Sequence, residues 1–491
     1  MPPLHAEPID PAAYLEKEAA RLHARQRQGW GRAYARSNQV LPYGGTCLTP
    51  GEVERIRLWL EGAGAGVGAG SPQGAALVSA VMTTGRSATT LATARVVTAI
   101  DTPPTAPLLH LGTQWTWWLA PGQPRSPQLR QRSRPVQTVP RPAFLPFPVS
   151  TRTRRLLEQA GIEDRIGAHI VGNADMAACA VRDALRAAGV RASAAMVTKW
   201  LFHRLATMQD GDIALAALVT GHVPITAATV VQYTMIDGAD VPIRLARALE
   251  GFDTVEDIAG VEGPLPLGSR NAPTLNDVRA IVARLTRPLC RDRRGRRSAI
   301  SDTHNAITLY TALFGLFATG GRPIEPFILD PDRIDPATGF LIVDDKPTMD
   351  NFKTRLVWAS DAYRRQLSLY RRHLTMLMER RPDLAGAATR SPFLLNAQGQ
   401  AIPLTRHAIR AALAGPDWPY PLNAGRHFLR SALVGRLGSE TLHAFLGHWH
   451  LGTEPWGAKA GLDPLTYRAE LAIILPPLLA DAGFVPMPGL E

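Results

Sequence analysis

Two halves of this chain run through the same order of features. Each opens on a helix start and continues into an apolar helix that ends in a Gly-Arg turn. A β-hairpin and further helices follow, and each half closes on Gly-His and then a tyrosine. The landmarks of the first half are Arg86, Gly221-His222 and Tyr233, and those of the second are Arg322, Gly447-His448 and Tyr467. Arg86 to Tyr233 covers 147 positions and Arg322 to Tyr467 covers 145. Matching order and spacing predict an internal duplication, with each half burying its own apolar helix. The competing reading makes 150–250 a plain helical clamp whose echo of the second half is chance.

At 491 residues the chain exceeds one ordinary domain, and its 45% hydrophobic content supports real cores. The formal net charge is +12, and most of the basic residues are arginine. Arginine favours planar, two-pronged contacts with phosphate. Charge alone leaves nucleic acid and anionic membrane both open as partners. No apolar run is long enough to span a bilayer, and the opening MPPLHAEPID is no signal peptide. Cys47, Cys179 and Cys290 are scattered, without metal-ligand or disulfide spacing, which points to a reducing cytosol and to small apolar residues.

Four segments are expected. Residues 1–45 form a basic N-terminal helical arm, with a helix over 11–37 that lies on a polyanion or packs on the body. Residues 46–252 form the first unit. It opens on LTPGEVERIRLWL, with Thr49 as N-cap, Pro50 at the first helical position and Glu52 closing a capping box. PLLHLGTQWTWWLA and RPVQTVPRPAFLPFPVS read as short strands. Between them lies a turn rich in proline and arginine, with Arg125, Arg130, Arg132 and Arg134. Residues 253–275, rich in Gly and Pro, read as a linker. Residues 276–491 form the second unit, with a basic loop at Arg291, Arg293, Arg294, Arg296 and Arg297. An apolar helix, a hairpin from GFLIVDDK to TRLVWAS, and helices to the end complete it. The fold class is mainly α with small β-hairpins or sheet (α+β).

The second unit carries the chemistry. His427-x-x-Arg430 places both side chains on one helical face. Leu446-Gly447-His448 and Tyr467 follow, and Arg322 stands upstream in FATGGRPIEPF. Attack on a phosphodiester builds negative charge on its non-bridging oxygens, which fixed cations stabilise. Arg322 and Arg430 each suit two oxygens, His427 and His448 suit hydrogen bonding or proton transfer, and Tyr467 suits the nucleophile. A hairpin lysine, Lys346 or Lys353, suits the acid that protonates the leaving oxygen. Each residue also has a plainer role open to it: helix-end ion pairs for the arginines, satisfied core positions for the histidines, a half-buried helix position for Tyr467.

The ordered set of Arg, hairpin Lys, H-x-x-R, L-G-H and Tyr resembles the catalytic domain of the tyrosine recombinase (phage integrase) family over 276–491. The resemblance implies tandem recombinase-like domains if the first unit is a second copy. It implies cleavage of DNA by Tyr467 through a 3′-phosphotyrosyl link that releases a 5′-hydroxyl, which then rejoins with a partner strand. It implies no metal or other cofactor. It favours Lys346 over Lys353 as the acid, and makes Glu325 a support for the Arg322 box. Partners implied are double-stranded DNA and a homo- or hetero-tetramer, with companion recombinases an open question, in a cytoplasmic, nucleoid-associated setting. Family members pass a C-terminal segment between neighbours, and the apolar tail after Tyr467 suits either that exchange or packing on its own core. The spacing from His448 to Tyr467 is longer than the family's, which predicts a loop ahead of the nucleophile helix.

The first unit lacks much of this set. Its counterpart of H-x-x-R is Lys199 and Phe202, Arg204 is out of register, Thr89 replaces the acidic residue, and no lysine lies between Arg86 and Lys199. It is therefore expected to bind DNA or a neighbouring protomer without cutting. The basic stretches at 125–134 and 291–297 suit phosphate contacts more than base reading. Two other classes stay open: an idle DNA-binding accessory protein, and a type IB topoisomerase or hairpin telomere resolvase.

Overall fold

A computed structural model describes residues 47–64, 71–100, 102–122, 143–223, 228–255, 265–290, 299–323, 331–344, 354–388, 392–415, 418–449, 454–456 and 460–490. It is mainly helical with small sheets, as the α+β expectation required. Among the described residues no helix is long and apolar enough to cross a membrane.

The first half begins with α1 (Pro50–Gly64), and the expected capping box is formed. Thr49 N donates to Glu52 Oε2 at 2.8 Å and Glu52 N donates to Thr49 Oγ1 at 3.3 Å. Helix α2 (Pro72–Thr84) is buried from Gly74 to Thr84, as its unbroken apolar and small residues dictate. After the short α3 (Ala88–Ala92) comes a four-stranded sheet of β1 (Arg95–Val97), β2 (Leu108–Leu111), β3 (Trp115–Leu119) and β4 (Leu145–Pro148), in that order. β1 runs parallel to β2 and the other pairs are antiparallel. Helices α4 (Thr151–Gln159), α5 (Ala174–Ala187) and α6 (Ala194–Thr207) pack on α2. Then follow α7 (Ile213–Thr220), α8 (Ala228–Tyr233), β5 (Met235–Asp237) and α9 (Val241–Leu249).

The Gly/Pro-rich stretch expected to be a linker contains β6 (Pro266–Gly268), paired antiparallel with β5 in the register Ile236 to Leu267. The second half then runs α10 (Leu275–Thr286), α11 (Ile300–Thr319), β7 (Phe340–Val343), β8 (Arg355–Trp358), α12 (Asp361–Arg380), α13 (Ala385–Ala388), β9 (Phe393–Leu395) and β10 (Ala401–Pro403). It closes with α14 (Arg406–Leu413), α15 (Ala424–Leu433), α16 (Ser439–Leu446) and α17 (Pro464–Asp481). α11 is the buried axis of this half, and β7–β8 is the expected hairpin, packed on α16.

The two apolar axes end alike. α2 stops at Gly85 (φ 66°) and α11 at Gly320 (φ 58°), both left-handed. A Cβ on Gly85 would stand 2.7 Å from Thr220 Cγ2 and 3.6 Å from Leu201 Cβ. On Gly320 it would stand 2.7 Å from Leu446 Cδ2 and 3.4 Å from Leu429 Cδ1. Thr220 and Leu446 both immediately precede the Gly-His pairs, and Leu201 and Leu429 occupy the same place beside Phe202 and Arg430.

The tail docks on its own chain. Leu471, Leu475, Leu478 and Leu479 of α17 are buried. Beyond α17, Val485 N donates to Tyr310 Oη at 3.0 Å, Met487 N to Gln366 Oε1 at 2.7 Å, and Leu490 N to His373 Nδ1 at 3.0 Å.

Candidate active site

Helix α15 is the keel of the site. Its sequence AGRHFLRSAL turns Arg426, His427 and Arg430 inward, and all three are buried. Buried arginines are rare unless paired, and each of these is held. Arg426 Nη1 donates to Gly320 O at 3.0 Å and Nη2 donates to Leu446 O. Arg355, buried on β8, joins them: Nη1 reaches Thr319 O at 2.8 Å and Phe445 O at 2.5 Å, and Nη2 reaches Gly320 O at 3.1 Å. Two guanidinium groups thus hold together the carbonyl ends of α11 and α16, where the helix dipole favours cations. The first half has one counterpart: Arg86 Nη2 donates to Val219 O at the end of α7, at 2.8 Å.

Arg430 faces the first half. Its Nη2 donates to both carboxylate oxygens of Asp212 at 2.6 Å, and its Nε donates to Thr234 Oγ1 at 3.2 Å. Its Nη1 is buried and has no hydrogen-bond partner among the described residues. Burial opposes ionisation of Asp212, but the charge and hydrogen bonds of Arg430, with further help from His443 and Ala214 N, hold its carboxyl below the usual range. Asp212 also caps α7, accepting from Ala214 N at 2.8 Å.

His427 sits between two polar neighbours. Asn423 Nδ2 lies 3.3 Å from Nε2, and Ser269 Oγ lies 2.7 Å from Nδ1. Asn423 donates, so Nε2 accepts and the network assigns the proton to Nδ1, which donates to Ser269. Burial, with Arg426 adding to it, pushes His427 down to about 3. His448 is buried just past α16, and among the described residues neither ring nitrogen has a hydrogen-bond partner. Burial, then the charges of Arg426 and Arg430, hold it well below its ordinary value. Both imidazoles are therefore neutral near pH 7.

The ring between the histidines is Tyr233, at the end of α8 and half-buried. Its centroid is 4.4 Å from that of His427 and 5.1 Å from that of His448, tilted by 38° and 35°. Arg426 Cζ lies 5.5 Å from the same centroid. The sequence reading assigned Tyr233 to the first half alone. Its neighbours hold it in place: Thr234 accepts from Arg430, and Met235 N donates to Ser431 Oγ at 2.9 Å.

Tyr467 has other partners. It lies in the first turn of α17 behind the Asp463 cap, and much of the expected loop ahead of it lies outside the described residues. The side chain is fully buried, its ring 5.0 Å from Trp456 and 6.2 Å from Phe340, and its Oη donates to Leu356 O at 2.8 Å. Burial raises its pKa far above the ordinary phenol value, with Arg355 opposing. Arg322 is half-buried, two residues beyond the Gly320 carbonyl that Arg355 and Arg426 share. Lys346, Lys353, Glu325, Arg125, Arg130, Arg134 and the loop Arg291, Arg293, Arg294, Arg296 and Arg297 lie outside the described residues. In the first half, Phe202 stands 5.5 Å edge-on to His222, where the second half has an arginine near its histidine.

Among the described residues no group of three or more His, Cys, Asp or Glu is placed to hold a metal ion. Comparison with protein-family models, curated proteins and solved structures finds no match for the chain.

Proposed function

We propose that the chain breaks and rejoins DNA strands through a phosphotyrosyl intermediate, in the manner of a tyrosine recombinase. The observation that carries this reading is the buried cluster of His427, His448 and Arg430. Arg430 Nη1 and the N–H of neutral His448 are donors withdrawn from water, a costly arrangement that a bound anion would relieve. A phosphodiester is the anion this donor set suits. The net charge of +12 favours DNA as the macromolecule that brings it. The duplicated domain reading is supported by the paired glycine contacts at Gly85 and Gly320, and by arginines on the carbonyl ends of both α7 and α16. Assembly as a tetramer on two duplexes belongs to the same proposal.

A second reading has its own support. Arg430 is engaged by Asp212 and Tyr467 is sealed against Leu356, as in a DNA-binding accessory protein whose site is idle. Covalent trapping separates the two. The full chain is mixed with nicked duplexes taken from the DNA flanking its own gene and run on denaturing gels. A protein–DNA adduct is expected. DNA binding without an adduct would leave the accessory reading in its place.

A further inference from the structure

We infer that the attacking tyrosine is Tyr233, delivered into the second half's site by the first half, and that Tyr467 is a structural residue. This rests on the strand-cleaving reading above, and names the nucleophile within it.

Three observations point the same way. First, position: Tyr233 is the tyrosine whose ring touches both His427 and His448, with Arg426 against it. Tyr467 packs on Phe340 and Trp456 and has its hydroxyl committed to the β8 carbonyl of Leu356. Second, access: Tyr233 is half-buried, whereas Tyr467 is fully buried and would have to leave its helix packing to meet DNA. Third, anchoring: the residues after Tyr233 are fixed to α15 itself, through Thr234 to Arg430 and Met235 to Ser431, so α8 and the histidines keep one geometry. The strand after them, β5, is in turn held by β6 at the entrance to the second half.

The step balances without an added reactant. Tyr233 Oη forms a bond to phosphorus as the bond from phosphorus to the sugar oxygen breaks. The phenol proton passes to water at the half-buried ring, because burial and the neighbouring arginines oppose a protonated His448. The leaving sugar oxygen takes a proton from water. Arg430 Nη1 faces the charge that builds on the phosphoryl oxygens. Rejoining is the reverse, with a strand hydroxyl as attacker.

The test locates the phosphotyrosine in the wild-type chain. After trapping on the nicked duplex, nuclease and trypsin digestion leaves a nucleotide-bearing peptide for mass spectrometry. Tyr233 lies on the peptide ending at Arg244 and Tyr467 on the peptide ending at Arg468. The adduct is expected on the first. It is expected to vanish in Tyr233→Phe and to persist within about twofold in Tyr467→Phe. An adduct on the second peptide that survives Tyr233→Phe overturns the assignment and leaves strand cleavage standing. No adduct in the wild type overturns both. Mapping on the unaltered chain keeps the answer independent of how either variant folds.

Discussion

Asp212→Asn probes the joint between the halves at its most costly point. Asp212 and Arg430 have side chains 2% and 0% exposed, and the pair spans 218 positions of sequence. Asparagine keeps the oxygen that caps α7, and it is as good a cap as aspartate. What it removes is the countercharge of a buried guanidinium. Removing one partner of such a pair costs about 3–5 kcal/mol. Denaturant unfolding followed by tryptophan fluorescence would read this as a lower midpoint. Arg430→Met and the double variant complete a cycle, in which the double variant is expected to lose much less than the sum of the two. The pH profile gives a second reading. Because the folded carboxyl is held below its unfolded value of about 3.9, its contribution is present above that value and lost as pH falls through the folded one. Asp212→Asn should flatten that part of the acid limb. A single-variant cost under about 1 kcal/mol, or additivity within about 0.5 kcal/mol, would refute the pairing as a joint of the folded chain.

Three further outcomes are expected. Gly221 and Gly189 are both left-handed, at φ 71° and 68°, but a Cβ on Gly221 would collide with buried Arg86 whereas Gly189 faces open space. Both alanine variants carry the left-handed strain of about 1–2 kcal/mol, and thermal melts should show Gly221→Ala as clearly the worse. The tail is held by a relay in which Leu490 N donates to His373 Nδ1, His373 Nε2 donates to His304 Nδ1 at 3.0 Å, and His304 Nε2 donates to Phe393 O. Burial pushes His304 down to about 4 and His373 to about 3, so below the unfolded value of about 6.5 the unfolded chain takes up protons that the fold refuses. Stability is therefore full above that value and falls toward pH 4, and hydrogen exchange at Val485 and Leu490, taken relative to the intrinsic amide rate at each pH, should show less protection at pH 5 than at pH 7. Tyr467→Phe should cost about 1 kcal/mol in the same unfolding assay, the worth of one buried hydrogen bond, because Leu356 O loses its phenol donor.

Local signals in the sequence carried most of the secondary structure. The capping box at Thr49 formed because Thr49 and Glu52 need only each other. The apolar helices and the hairpin at β7–β8 follow from patterns within a few residues. H-x-x-R placed His427 and Arg430 on one face for the same reason. The rest depends on distant chain. Arg355 in TRLVW reads as an ordinary polar strand position, and nothing local reveals that it lies between the carbonyl ends of two helices. Arg426 in AGRHF likewise gives no local sign that it reaches the carbonyls of Gly320 and Leu446. The strand β6 was hidden inside a Gly/Pro-rich stretch because its partner lies upstream in β5, and an edge position tolerates Pro266. That Tyr233 and Asp212 meet α15 is a tertiary fact without a motif.

The proposed duplication gives this tertiary fact a rationale. In the first half the counterpart of Arg430 is Phe202, a fully buried ring against His222, so that half cannot grip a phosphate by the same means. Yet the two elements that follow, the capped start of α7 and the end of α8, supply Asp212, Thr234 and Tyr233 to the other half. A copy that had merely decayed would be free to drift at those positions. Asp212 is not free, because a buried arginine without it carries a desolvated charge. Nor is the α8–β5 junction, which hydrogen-bonds to α15 at two successive residues. On the proposed duplication, the first half lacks a site of its own and supplies residues to the cluster around α15. The two halves are joined through Asp212, Thr234 and Met235, and neither half expressed alone should retain the geometry around α15.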